Sequence, residues 1–377
     1  MKVTLDAKEL AKAVRLLRKV APKRTIKPIL GYCLVETDGQ FGVSLCATDL
    51  EIMGRVSVWA GAAEPGRALL PLAKAEAVLK TASGTVELDA GADGQVRLAG
   101  VGIGEGDDPE DFPAAGLQAD RELSPGFPLS PGFPVSLLFH RTVFACSQEN
   151  TRYTLASVNL EGADGRLTAV ATDSHIMPIA SETWGGPDFT ALVPSAFCRL
   201  AASLGGEPRM ATQGKMMDSG GLSNLILDWG WVQLGVRLTD GHFPKWRDVV
   251  PEKFGPVFEA DSAELSRAVR AMASLNTDSY DDPAVVLSVD EGRVTVRPWG
   301  REPEAGGVVV AADADGKAEQ AFKSKFLLKI LAVVNGRACV SLGENQNKAA
   351  KIEMAPGKGF GLGTDDWKCI IMPVAMG

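Results

Sequence analysis

The stretch AVATDSHIMP, residues 169–178, has a counterpart in LCATDLEIMG, residues 45–54. Both read Ala-Thr-Asp, two free positions, then Ile-Met, 124 residues apart. A second pair lies twice as far apart. LDAKELAKAVRLLRKVA (5–21) and ADSAELSRAVRAMASLN (260–276) share Asp, Glu-Leu, a basic residue and Ala-Val-Arg at the same offsets, 255 residues on. Self-similarity at a fixed period sets the architecture before any single motif does, and these two spacings require a middle copy of the helix. SLLFHRTVFACSQ, from Ser136, is an amphipathic segment at that place.

The coarse order repeats after each such helix. The first unit runs through strand-like ILGYCLVET, FGVSLCAT and LEIMGRVSVW, a helix ALLPLAKAEAVLKTA, and strands TVELDA and QVRLAGV. In the second unit the order is TLASVNLE, LTAVATD, HIMPIASE, helix LVPSAFCRLAASL, LSNLILDW and VQLGVRL. PAVVLSV, RVTVRPW, GGVVVAA, helix KSKFLLKILAVV, ACVSLG, AAKIEMA and DWKCIIMPV make up the third. Alternating apolar residues mark strands, and three- and four-residue spacing marks helices. The expected fold is α+β, in three similar domains at 1–126, 127–254 and 255–377, each with two helices on antiparallel strands. A length of 377 residues suits about two to three domains. LSPGFPLSPGFP (123–134) reads as a linker at the first boundary, its tandem hexapeptide tolerated because loop length enters stability only logarithmically.

Charge is segregated. Residues 1–30 hold nine Lys or Arg against Asp6 and Glu9, a balance of +7, while the remaining 30 basic and 45 acidic residues give −15. At 100° per residue, Lys8, Lys12, Arg15 and Lys19 fall within a sector of about 60°, opposite Leu10, Ala13, Val14 and Leu17. Arg267 and Arg270 hold the places of Lys12 and Arg15 in the third unit. A repeated cationic helix face on an acidic body suits contact with phosphates, without base-reading residues beside it.

Catalytic and cofactor chemistry finds little support. Asp49 and Asp173 in paired Thr-Asp segments invite comparison with a carboxylate dyad, but only Asp218 has the Asp-Ser-Gly form and a dyad needs two. The three histidines, His140, His175 and His242, form no HExxH. Cys146 near His140 reads as core packing. VGIGEG (101–106) and GKGFGLG (357–363) read as turns, and no phosphate-binding GxxxxGK[ST] is present. The six cysteines lie at least 13 residues apart, without metal or redox spacing. No enzyme activity, cofactor or metal is expected. Acidic residues occupy the place of a signal peptide's apolar segment in MKVTLDAKEL, and the expected location is the cytoplasm.

Several segments carry a family resemblance: KPILGYCLVE, CATDLEI, EDFP (110–113), SQENTRYTLASVNLE, AVATDSH, LTDGHFPKWRDVVP and the terminal IIMPVAM. In this order and spacing the chain resembles the bacterial DNA polymerase III beta subunit, the sliding clamp, over essentially its whole length. The resemblance implies the DNA clamp fold and a head-to-tail homodimer closing a ring of six domains around duplex DNA. It implies a non-catalytic processivity role in DNA replication, tethering the replicative polymerase and other peptide-bearing partners after loading by a separate ATP-driven clamp loader. It also implies no membrane partner. DNA-facing positions carried over are Arg24, Gln148, Asn150, Arg152 and Tyr153, beside Lys8, Lys12, Arg15, Lys19, Arg267 and Arg270.

The same resemblance implies an apolar pocket between the second and third domains for short partner peptides. Its matching residues are Leu155, Thr172, Ser174, His175, Ile176, Met177, Pro244, Val249, Ile370, Ile371, Met372, Pro373 and Val374. The chain departs from the family at this pocket. Ser174-His175-Ile176-Met177-Pro178 stands for the usual Gly-His-Arg-Leu, Asp248 for a common basic residue, and Ala375 for the usual Arg. The expectation is a pocket with weaker attraction for acidic peptide residues than a typical member has.

Overall fold

The first and third repeats open on a strand that runs straight into a helix. In the computed structural model, six α-helices are described: α1 (Ala7–Val20), α2 (Leu72–Leu79), α3 (Val135–Thr142), α4 (Ser195–Leu204), α5 (Ser262–Ala273) and α6 (Ser324–Leu331). The described residues are all except 41, 92–94, 106–107, 114–132, 150–151, 214–222, 276–282, 291, 301–305, 356–365 and 376–377. Most of the LSPGFP duplication, residues 123–132, lies outside them, as do GKGFGLG and Asp218.

The repeated Asp-x-x-Glu-Leu is a helix-start device. Asp6 closes the strand Lys2–Asp6, and its Oδ1 accepts from the N–H groups of Lys8 at 2.9 Å and Glu9 at 3.0 Å. Asp261 closes Val257–Asp261 and accepts from Glu264 N–H at 2.8 Å. In both places a carboxylate satisfies N–H groups that the first helical turn leaves unpaired, and its charge suits the positive end of the helix. On α1, Leu10, Val14 and Leu17 are fully buried, with Lys8, Lys12, Arg15 and Lys19 exposed on the other side. The helix lies close on the long strand Ile52–Ala63: a Cβ built on Gly54 would come within 3.0 Å of Val20 and 3.2 Å of Leu17. Glycine at 54 sets that approach.

The chain divides into two compact units, Met1–Ser136 with Leu200–Leu238, and Leu137–Arg199 with Thr239–Gly377. Residues of the middle third, 127–254, are therefore shared between them. In the first unit one eleven-stranded sheet holds the strands of the first third together with Arg209–Gln213, Asn224–Asp228 and Val232–Arg237. Val232–Arg237 joins it antiparallel to Ile52–Ala63, with Val232 opposite Val56 and Val236 opposite Ile52. In the second unit a nine-stranded sheet contains Trp367–Ile371 paired antiparallel with Ile176–Thr183, Ile371 opposite Ile176 and Ile370 opposite Met177. A separate four-stranded sheet is built from Ala284–Asp290, Arg293–Pro298, Val308–Val310 and Lys317–Lys323.

Two expectations from the sequence change. The helix expected over ALLPLAKAEAVLKTA begins only at Leu72, because Gly66–Pro71 is a strand; likewise α4 begins at Ser195 after Phe189–Pro194. Pro71 and Pro194 mark the change, since the residue before a proline avoids the helical region. VGIGEG is not a turn: Val101–Glu105 is a strand paired with Gln95–Leu98. The turn lies before it, at Ala99 and Gly100, with φ of 52° and 77°, the two consecutive positive values of a tight hairpin. Ile103 is buried, and Gly104 sits where a Cβ would meet Pro71 at 3.3 Å. Among the described residues no helix is long and apolar enough to cross a membrane.

All six cysteines are free thiols, five of them buried and Cys339 half-buried. Burial pushes Cys46 up to about 11, with Arg55 opposing, and Cys146 up to about 12, with Arg199 opposing. A thiol reagent at pH 8 should label Cys339 first and the other five only on unfolding. Folding here disfavours the thiolate, whereas unfolded cysteines ionise near about 8.5. Their contribution to stability is thus complete below that pH and is lost as pH rises towards the folded values. The urea midpoint should fall between pH 8 and 10; a flat profile would contradict this.

Candidate functional site

The Thr-Asp phrase builds the same turn twice. Thr48 Oγ1 accepts from Leu50 N–H at 2.9 Å, while Asp49 Oδ1 accepts from Glu51 at 2.9 Å and Ile52 at 2.6 Å. In the second copy Thr172 Oγ1 accepts from Ser174 at 3.0 Å, and Asp173 Oδ1 from His175 at 3.0 Å and Ile176 at 3.1 Å. Leu50 and Ser174 sit at φ of 82° and 76°. This left-handed conformation costs a non-glycine residue about 1–2 kcal/mol, and the surrounding side-chain hydrogen bonds offset it. In the third repeat Gly300 takes that place at φ 77° after Pro298 and Trp299, and the Thr-Asp pair is absent. Asp49 and Asp173 are thus engaged as turn acceptors.

Beyond the turn the two copies differ. In the first, Met53 packs with Leu34, Cys46, Leu69 and Phe112, and Ile29 and Tyr32 close over them. Phe112 is buried, 4% exposed. In the second, Met177 packs with Val170, Ile179, Ala349 and Ile370, under the half-buried Phe243, Trp246, Val250 and Phe254. Phe243-Pro244 repeats Phe112-Pro113. The equivalent phenylalanine therefore seals the first cluster but only partly covers the second. Beside it Met372 is 42% and Val249 54% exposed.

Strand alternation sorts the expected pocket residues. His175, Met177 and Ile179 share a face with Ile370 and Met372, because Met177 is opposite Ile370 and the Met372 N–H donates to the His175 carbonyl at 2.8 Å. Met177 and Ile370 form the floor; His175 and Met372 are exposed at its rim. Ile176 and Ile371, also opposite one another, point to the other face and are buried. Leu155 is buried, Thr172, Pro373 and Val374 are half-buried, and Ser174 and Pro244 are exposed. Pro178 fits within the strand because of its register. The His175–Met372 bond makes Pro178 opposite Cys369 a non-hydrogen-bonded position, so the N–H it lacks would face Ala171, just past the end of the strand Arg166–Val170. On that side the Pro178 carbonyl still accepts from Ala171 N–H at 3.4 Å.

Several contributors escaped the sequence reading. Phe326 of α6 is buried, and the His175 ring stacks on it with centroids 4.8 Å apart. Phe243, Trp246, Val250 and Phe254 were missed as well; the aromatic spacing of HFPKW was the available signal.

Of the expected DNA-facing residues, Lys8, Lys12, Arg15, Lys19 and Arg24 lie exposed in the first unit. Lys12 pairs with Glu9 at 2.6 Å, and Arg15, Arg18, Lys19 and Lys23 line one concavity beside Pro22 and Glu76. Gln148, Arg152, Tyr153, Arg267 and Arg270 are exposed in the second unit. Arg152 pairs with Glu149 at 3.4 Å and reaches Ser174 Oγ at 3.3 Å. Asn150 lies outside the described residues.

Comparison with known proteins gives a consistent result. No family model matches the chain. The beta sliding clamp of Pseudomonas putida is 26% identical over 388 residues, covering all of both chains. The sliding clamp of Pseudomonas aeruginosa (DNA polymerase III subunit beta), solved bound to griselimycin, superposes with a TM-score of 0.82 at 24% identity and full coverage of both chains. A C. crescentus beta sliding clamp with polyethylene glycol at its beta-motif tethering region superposes with a TM-score of 0.81 at 23% identity, covering 100% of this chain and 99% of that one. The fold is that of a DNA clamp. Over its full length, in sequence and in fold, the chain is related to the bacterial beta sliding clamps.

The turn geometry carries a local prediction. Asp173→Ala removes the acceptor shared by two N–H groups at an exposed turn, a loss of about 1 kcal/mol. Hydrogen exchange at His175 and Ile176 should accelerate roughly fivefold, with strand amides further from the turn unchanged. Unchanged exchange at both would show that the turn holds without the carboxylate.

Proposed function

We propose that the chain is a sliding clamp: two copies close a ring around duplex DNA and tether the replicative polymerase and other peptide-bearing proteins, after opening by a separate ATP-driven loader. In this reading 1–126, 127–254 and 255–377 are three copies of one domain, the protein is not an enzyme, and it works in the cytoplasm. Full-length similarity to beta sliding clamps supports the reading, and the pairing of strand edges carries it.

The strand that ends the second third, Val232–Arg237, pairs with the long strand of the first; the strand that ends the whole chain, Trp367–Ile371, pairs with the long strand of the second. The first third ends its strand order on Val101–Glu105, which among the described residues has Gln95–Leu98 on one side only. In the third repeat the long strand is represented by Val308–Val310 and Ala312–Asp315, and Val308–Val310 pairs only with Arg293–Pro298 among the described residues. Val101 and Val232 take the same place in their hairpins, each opening the returning strand, opposite Leu98 and Trp229. Val232 is 1% exposed and Val101 is 50% exposed. A third junction of the same kind, made between two chains, covers Val101 and leaves neither edge open; twofold head-to-tail closure satisfies both ends at once.

The cationic faces of α1 and α5 then serve as a phosphate-compatible lining. Contacts of this kind are sequence-independent and salt-sensitive, and modest in number they leave a ring free to slide. A relative solved with polyethylene glycol at a beta-motif tethering region supports a tethering pocket in this chain, which this reading puts at the His175–Met372 region.

Three measurements test this. Wild-type protein should scatter as twice the 39.8 kDa chain, and Val101→Asp as one chain with unchanged circular dichroism; a stable wild-type monomer at micromolar concentration counts against a ring. Protein loaded on circular DNA should be lost on linearisation, and equal retention on both forms would falsify the sliding reading. Lys12→Glu with Arg15→Glu should weaken retention at low salt without altering the thermal midpoint.

A further inference from the structure

Two tryptophans of the first unit stand exposed in one notch. Trp59 is 81% and Trp231 50% exposed, and both line a concavity of about 510 Å³ beside Asp6, Glu9 and Lys12 at the start of α1. Their backbones are fixed by the sheet. Trp59 lies on Ile52–Ala63 opposite Gly42, which offers no side chain to cover the indole from the neighbouring strand. Trp231 follows Gly230, at φ 86°, in the turn between Asn224–Asp228 and Val232–Arg237, and its carbonyl accepts from Ser57 N–H at 2.9 Å. Trp229 in the same turn is tied down instead, its Nε1 donating to the Gly205 carbonyl at 2.7 Å. The charges within the notch are engaged: Asp6 caps α1, and Glu9 pairs with Lys12 at 2.6 Å. At 100° per residue Lys12 stands between Glu9 and the exposed Lys8, Arg15 and Lys19, so the notch borders directly on the cationic face of the helix.

We infer that this notch is a stacking site for the bases of single-stranded nucleic acid, with the backbone phosphates carried by Lys8 and Arg15 on the adjoining face. Exposed aromatic faces beside a cationic track are the arrangement that holds a single strand without reading its sequence, because every base has a π-face. The charge gradient sets the orientation. Asp6 and Glu9 keep phosphates out of the notch but admit a neutral, planar base, and the cations next to it take the backbone. A duplex is unsuited, since its bases hide their faces in the stack. A second copy of the chain is disfavoured as the occupant, because a dry interface would have to desolvate the Glu9–Lys12 pair and the Asp6 carboxylate. The site lies wholly within the first unit. It therefore goes beyond the clamp reading and needs neither a closed ring nor the pocket at His175.

The test uses the full-length chain and two labelled strands of equal length and charge: a short oligothymidylate and its abasic counterpart, which keeps the sugars and phosphates but has no bases. Binding is read by fluorescence anisotropy at low salt. The thymidylate strand should bind about tenfold tighter than the abasic one, the gain from one stacked base, and its unlabelled form should quench tryptophan emission. Trp59→Ala/Trp231→Ala should bring the two strands to within about twofold of each other, with abasic binding and circular dichroism as in wild type. Lys8→Glu/Arg15→Glu should weaken both strands alike and leave their ratio unchanged. Trp59→Phe/Trp231→Phe keeps the packing of an aromatic ring, so it guards against a folding defect; in it the quenching should disappear, and quenching that persists places the bases elsewhere. Equal binding of the two strands to wild type, or a preference that survives the alanine substitutions, overturns the inference. So does an alanine variant that changes its scattering mass but not its strand preference, which assigns the notch to contact between chains.

Discussion

A β-strand at the edge of a sheet exposes backbone donors and acceptors that must find partners or be protected. This constraint organises the chain. The terminal strand of one repeat pairs with the long strand of the repeat before it, at Val232 with Val56 and again at Ile371 with Ile176. Because the same solution occurs twice, the repeats are not independent beads: two of the sheets are assembled from neighbouring thirds, and the two compact units cut through the middle third. Removing a terminal strand would expose the edge of the preceding repeat as well as shorten its own.

The fold was legible in the sequence to the extent that side-chain pattern determines backbone. Asp6 and Asp261 announce helix starts because a short carboxylate there has two unpaired N–H groups within reach. Apolar residues at helical spacing located α1 and α5, while strand–helix junctions at Pro71 and Pro194 were overrun, since Leu69, Leu70 and Leu72 suit either period. Val101–Glu105 was misread for a related reason. Glycines at 102 and 104 look like turn residues singly, but both pair with Gln95–Leu98 across a shift of register, and Gly104 lets Pro71 approach.

The site was legible only in part. Sequence similarity pointed to His175, Met177, Ile370 and Met372, and alternation on paired strands brings these four together. It could not separate them from Ile176 and Ile371, which face the other way, because a one-residue step on a strand is invisible in a string of apolar letters. Nor could it find Phe326, which comes from a helix some 150 residues away and meets His175 only through tertiary packing.

Phe112 gives the internal repetition a further meaning. A duplicated domain inherits a duplicated groove, and three copies of one ancestor would ordinarily give a chain several equivalent landing places. Here the first groove is stoppered by its own phenylalanine, while the second leaves Phe243 half-withdrawn beside an exposed methionine and valine. Under the proposed clamp function, one open groove per chain would make partners that share it exclude one another on a given chain. Exchange between them becomes a matter of turn-taking rather than of crowding.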